Sequence, residues 1–192
     1  MSDMAIAYER HRISVDEYHR MADAGVFPPD ARIELLDGDL IETVVTMHPP
    51  HAACIVGLVE LLTMRLVPFA CVRSQVPVIL GDYSVPEPDC AIVRRDPRRY
   101  IDRHPQVADI FFLIEVADSS RDEDRRMKIP LYGRCGVAET WLVDLVDDVV
   151  LIHRDPTPDG YGVVTIARRG ETVAPLAFPD VAIPVDDILP PR

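Results

Sequence analysis

The sequence predicts an α+β fold, a mixed sheet flanked by helices with extra strands towards the C-terminus. Three observations predict it. Helix signals (capping boxes and a four-turn amphipathic pattern) are interleaved with strand signals rather than segregated from them. The run Ile110 to Val116 is apolar apart from Glu115, as expected of a central strand covered on both faces. The last third, from Thr140 onwards, reads as a succession of short strands.

Taken in order, Ser14 followed by Glu17 is a capping box, which predicts a short helix from Val15 to about Ala24. RIELLDGDLIETV then places two strand-like runs around Asp37-Gly38, a strong hairpin signal. From His51 to Leu66, apolar residues at Ile55, Leu58, Leu62 and Met64 to Leu66 predict a long amphipathic helix. Strands are predicted at Ala70 to Ser74, Val76 to Leu80 and Asp89 to Val93, the last after the extended Pro86-Glu87-Pro88. An arginine-rich connection from Arg94 to Ala108 leads to the Ile110 strand. Ser120 with Glu123 forms a second capping box and opens a helix towards Gly133. Thr140 to Leu145, Val149 to His153, Tyr161 to Ala167 and an extended stretch near Val181 complete the chain.

Length and composition narrow the function. The 192 residues suit one domain, residues 1–192, and the 18 prolines punctuate apolar segments rather than marking a linker. A hydrophobic content of 48% supports a sizeable core and excludes disorder as the main state. The formal net charge of −12 argues against a general nucleic-acid coat protein but leaves room for a local basic groove. No apolar run approaches a membrane span, and the N-terminus lacks the apolar core of a secretory signal. Cys54, Cys71, Cys90 and Cys135 have no CxxC spacing, so free thiols in a reducing cytoplasm are expected rather than zinc ligation.

Asp89 and Glu115 form the central chemical candidate. If their strands are antiparallel neighbours, one register sets them opposite each other, about 4.5–5.5 Å apart. Carboxylates that close repel unless a proton or a cation is shared. Oxygen-rich pairs of this kind suit Mg²⁺ or Mn²⁺. The plainer alternative is that each acid ends a separate strand. Lys128 is the only lysine, all other Lys/Arg positions being arginine. Beside the face made by Met127, Leu131 and Cys135, it sits about two turns into the predicted helix. Its side chain would point back towards the end of the Glu115 strand. An exposed pair with Asp124 would be its ordinary use, which arginine would serve equally well. A compact ammonium is better suited to holding a water or a developing phosphorane oxygen. Arg94, Arg95, Arg98, Arg99 and Arg103 with His104 form a basic stretch that either guides a phosphate backbone or is merely solvated. Trp141 and Tyr132 read as residues of the core or of an interface.

The succession RIELLDGDL, PPH opening a helix, VPEPDCAIV, IEVADSS and DRRMKIPLYGRCGVAETWLVD resembles the Uma-type family of putative restriction endonucleases, within the PD-(D/E)xK nuclease superfamily. The resemblance runs from about Ser14 to Leu189. It implies a restriction-endonuclease-like αβββαβ core with added strands. Carried over by position, Pro88-Asp89 is the PD element and Glu115 the second acid. Glu34 is a further acidic position, His51 the histidine at the start of the long helix and Tyr132 the helical tyrosine. Two residues after Glu115 stands Ala117 where the superfamily has lysine, and Lys128 matches a lysine moved to the following helix, as in the Uma-type pattern.

The reading that results is a Mg²⁺- or Mn²⁺-dependent endonuclease acting on DNA. Its catalytic residues are Asp89, Glu115, Lys128, Glu34, His51 and Tyr132, and its metal ligands Asp89, Glu115, the Val116 carbonyl and Glu34. The alternative is a nuclease-fold binding or scaffold protein without turnover, a homodimer through the apolar C-terminal strands. Taken by themselves, Glu34 before a tight hairpin reads as an exposed strand acid and His51 as a packing histidine.

Overall fold

The computed structural model describes residues 9–42, 48–67, 69–118 and 127–191. Helix α1 (Val15–Asp23) starts where the capping box places it: Ser14 Oγ accepts from the Glu17 N–H, and the Ser14 N–H donates to Glu17 Oε2 at 2.9 Å. The Ser14 N–H and hydroxyl, both donating to Oε2, hold the Glu17 carboxyl down at about 2. Strands β1 (Ile33–Leu36) and β2 (Asp39–Glu42) pair antiparallel across Asp37-Gly38. Both turn residues have positive φ, 54° and 85°, as a two-residue hairpin turn requires. A bridge between Leu35 and Val85 ties this hairpin to the loop that precedes β4.

The body is a six-stranded sheet of order β3-β4-β5-β6-β7-β8. Its strands are β3 (Ala70–Ser74), β4 (Cys90–Arg94), β5 (Ile110–Ala117), β6 (Glu139–Asp144), β7 (Val149–Thr157) and β8 (Gly160–Arg168). All neighbours are antiparallel except β5 and β6, which run parallel. A parallel pair needs a crossover connection, and helix α3 (Lys128–Arg134) lies within it. With helix α2 (Pro49–Leu66) ahead of β3, the chain order α2-β3-β4-β5-α3-β6 is the αβββαβ arrangement, extended by β7 and β8. A small pair, β9 (Thr172–Val173) and β10 (Ile183–Pro184), and the short helix α4 (Val185–Ile188) close the chain.

Alternation along β4 and β5 divides the core between two faces. Cys90, Ile92, Phe112 and Ile114 pack with Leu58 and Leu62 of α2, with Trp141 and with Ile188 of α4. Ala91, Val93 and Leu113 pack on the other face with Val78, Leu80, Tyr132 and Val137. Strand β5 is thus covered on both sides, as its composition requires. Trp141 and Tyr132 are both fully buried core residues.

Three segments depart from the sequence expectation. Val76 to Leu80 is not a strand. Pro77, Pro86 and Pro88 lack N–H groups, and the donors of Val78, Ile79 and Leu80 go to three separate carbonyls, Pro86, Pro105 and Ser84, so no ladder forms. Lys128 opens its helix instead of lying two turns inside it. Pro130 is compatible with the first turn only, since in a longer helix its ring would strike the carbonyl four residues back. The Ser120–Glu123 box and the Asp124 partner of Lys128 lie outside the described residues. The extended stretch placed near Val181 is the short β10 at Ile183–Pro184.

Helix α3 approaches β8 so closely at Gly133 that a Cβ there would overlap the Gly160 carbonyl, backbone against backbone. Gly57, inside α2, has open space around its Cβ position. Gly133→Ala is therefore expected to lose about 1–3 kcal/mol of stability by overpacking. Gly57→Ala should gain up to about 1 kcal/mol from helix propensity. Urea denaturation of the two variants beside the wild type checks both signs.

Candidate active site

The register of β4 on β5 pairs Cys90 with Ile114 and Ala91 with Leu113. One step further, where the ladder ends, the same register sets Asp89 opposite Glu115. The Asp89 backbone is fixed by Ser74 Oγ, which donates to its carbonyl at 3.0 Å, and by the Gln75 N–H. Its carboxylate reaches across to β5: Oδ2 accepts from the Val116 N–H at 2.9 Å. Oδ1 lies 3.3 Å from His51 Nε2, in the first turn of α2, whose start is set by Pro49 and Pro50.

Glu115 occupies the other half of the site. Its side chain is 3% exposed, and Oε1 accepts from the Tyr132 hydroxyl at 2.5 Å. Lys128 and Tyr132 are four residues apart on α3 and so share one face. The Lys128 ammonium lies 3.0 Å from Glu34 Oε1, 3.8 Å from Glu115 Oε1 and 3.4 Å from the Glu87 carbonyl. Glu34 is not an exposed strand acid. It is 6% exposed, and Oε1 also accepts the Glu87 N–H. The hairpin delivers it there through the bridge between Leu35 and Val85.

The structure therefore gathers His51, Asp89 and Val116 on one side, and Glu34, Glu115, Lys128 and Tyr132 on the other, around the end of β5. Sequence reasoning missed one member, Glu87. Burial, and next the charge of Glu34, push its carboxyl above the ordinary value, while Arg32 and Lys128 oppose the shift. Its signal was its place in PEPD, two residues before Asp89. Among the described residues the cluster sets the acids Glu34, Glu87, Asp89 and Glu115 against Lys128 and His51. Among the described residues, no three Asp, Glu, His or Cys side chains converge into a ready-made metal cage.

The basic stretch lies elsewhere. Arg94 is at the far end of β4, about 17 Å along the strand from Asp89 at ~3.3 Å per residue. Arg98 is paired with Asp102 and Arg103 with Asp109, and Arg94 stacks on Phe111 while donating to the Ala108 carbonyl. These three are engaged by their own neighbours instead of leading into the carboxylates. All four cysteines are free; Cys54 and Cys90 are buried, and burial pushes both thiols up to about 12.

A six-stranded mixed sheet with αβββαβ order and an acid cluster at the β4–β5 end defines a protein of restriction-endonuclease-like fold. The family model of Uma2, described as putative restriction endonuclease, matches residues 15–186, and the chain belongs to that family. Among solved structures it is similar to a putative nuclease of the DUF820 group from Anabaena variabilis. The identity is 18% and the TM-score 0.70, over 92% of this chain and 97% of the other. Nothing among curated proteins matches the sequence. No helix among the described residues is long and apolar enough to cross a membrane.

If Lys128 were a surface helix residue, its removal would cost no more than about 0.5 kcal/mol. Lying instead between two buried acids, Lys128→Ala is expected to cost about 3–5 kcal/mol, because it removes the ammonium that both buried acids contact. Lys128→Met combined with Glu34→Gln should recover most of that loss. Chemical denaturation of both variants in EDTA measures the difference.

Proposed function

We propose that the protein is a metal-dependent phosphodiesterase of the PD-(D/E)xK type that cuts DNA. The observation that carries the reading is the gathering of carboxylates at the β4–β5 end, where, among the described residues, Glu34 and Glu115 share the Lys128 ammonium and Asp89 lies alongside. Carboxylate oxygens suit Mg²⁺ or Mn²⁺, and such ions are commonly held by one or two carboxylates plus water and substrate phosphate. A ready-made cage of three is not required. Asp89 and Glu115, with the Val116 carbonyl and Glu34, are the residues that would hold the ion. When bound, it supplies Lewis acidity at the scissile phosphate and a water of lowered pKa.

The remaining work falls to the chain. His51 and the Val116 N–H orient the two oxygens of Asp89, and the Tyr132 hydroxyl fixes Oε1 of Glu115. Lys128 holds the attacking water and balances charge building on the phosphorus oxygens. Its attachment at the first position of α3 places the ammonium at the strand end, replacing the lysine that Ala117 leaves out. Free thiols and a DNA substrate fit a cytoplasmic protein.

A second reading is a nuclease-fold scaffold without turnover, dimeric through β8. One observation favours it: β8 is an edge strand with Val163, Val164 and Ile166 each about half exposed. Antiparallel pairing with a second copy would set the exposed Asp159 turn of one strand near the exposed Arg168 of the other.

Nicking of supercoiled plasmid in Mg²⁺ or Mn²⁺ separates the two. The wild type is expected to nick and Asp89→Asn to be inactive. Lys128→Arg should be slowed about a hundred- to a thousand-fold, the cost of misplacing one preorganised donor. Melting curves establish that each variant is folded. A folded wild type that cuts nothing across a broad panel of DNA substrates and metals would favour the scaffold. Equal nicking by wild type and Lys128→Arg would remove the lysine from the chemistry.

A further inference from the structure

Outside the acid cluster, one surface breaks the acidic character of the chain. A groove of about 660 Å³ lies where the end of α2 meets the outer edge of β3 and the loop after β4, and Arg73, Arg95 and Arg99 line it with Tyr100, Thr63 and one acid, Asp96. Arg95 and Arg99 on that loop, and Arg73 on β3, differ from the loop's other arginines. Arg98 and Arg103 are neutralised by Asp102 and Asp109, whereas no ion pair among the described residues involves Arg73, Arg95 or Arg99. Arg95 donates Nε to the Ala70 carbonyl at 3.3 Å, which fixes the guanidinium to the edge strand. The guanidinium of Arg73 lies 5.4 Å from the Tyr100 ring centroid, and its Nε is buried with no hydrogen-bond partner among the described residues. A buried donor of this kind costs about 1–3 kcal/mol unless something accepts from it.

The position of the groove says what it faces. Strand β3 is the outer strand of the sheet, and its other end lines a second groove of about 400 Å³ with Ser74, Gln75 and Ala52, Val56 of α2. Ser74 is the residue that holds the Asp89 carbonyl. Strand β3 therefore runs from the backbone of Asp89 to the arginine groove. From Ser74 to Ala70 it covers about 13 Å at ~3.3 Å per residue. One strand of DNA advances ~3.4 Å per nucleotide, so that length matches about four nucleotides.

We infer that the Arg73–Arg95–Arg99 groove binds the sugar-phosphate backbone of DNA within about four nucleotides of the bond at the acid cluster. The inference rests on the nuclease reading and extends it. Guanidinium groups give planar, paired donors to phosphate oxygens, and such contacts set the register of the DNA without reading its sequence. In a chain of net charge −12, three arginines against the single acid Asp96 make this groove a local basic site for a phosphate backbone.

The test is binding of a labelled DNA duplex in EDTA, followed by fluorescence anisotropy between about 50 and 200 mM salt, where phosphate contacts are read as the salt slope. Arg95→Ala with Arg99→Ala, both exposed, is expected to reduce the slope by about 2, at ~0.9 for each phosphate no longer neutralised. Arg98→Ala, on the same loop but paired with Asp102, should leave it unchanged. If the wild type binds and the double variant keeps the wild-type slope, the groove is not on the DNA path and the inference fails alone. It fails in the same way if Arg98→Ala lowers the slope as much as the double variant does. If the wild type shows no salt-dependent binding at all, the nuclease reading fails with it.

Discussion

The contact of one ammonium with two buried carboxylates is the constraint around which the site is arranged. Glu34 and Glu115 are 7% and 3% exposed in their side chains, and Lys128 lies 3.0 and 3.8 Å from them. Acids so deep in the protein are costly unless a cation and hydrogen bonds share the charge. That requirement links three elements distant in sequence: the β1–β2 hairpin that carries Glu34, the central strand that carries Glu115 and helix α3 that carries Lys128. Tyr132 adds a second link between α3 and Glu115. The close approach of Gly133 to Gly160 lets α3 sit low enough on β8 for both contacts to form.

Much of the fold was legible because local chemistry and tertiary need agree. The Ser14–Glu17 box, the Asp37-Gly38 turn and the buried run at Ile110 all formed where their residue types demand. Val76 to Leu80 misled because its alternation is strand-like while the prolines around it prevent a ladder. The start of α3 was misread for a related reason: Pro130 outweighs the helical periodicity before it.

The site was legible in part. The pairing of Asp89 with Glu115 follows from two strand patterns and one register, which a sequence can suggest. The burial of Glu34 could not be read from residues 33–36, since it depends on the hairpin being held to Val85, some fifty positions away. Glu87 was hidden for the same reason, its neighbours being Glu34 and Lys128. The arginines show the opposite case. In the sequence five of them look like one basic stretch, yet folding pairs Arg98 and Arg103 with acids and leaves Arg95 and Arg99 to join Arg73 from another strand.

The central claim is that the paired acids at the end of β4 and β5 form a divalent-metal site. Anomalous diffraction from crystals soaked in Mn²⁺ tests it most directly. The account predicts one peak bonded to the carboxylates of Asp89 and Glu115, at oxygen distances near the ~2.0–2.1 Å of small hard cations, and absent from Asp89→Asn crystals. Well-ordered crystals with no peak there would contradict it.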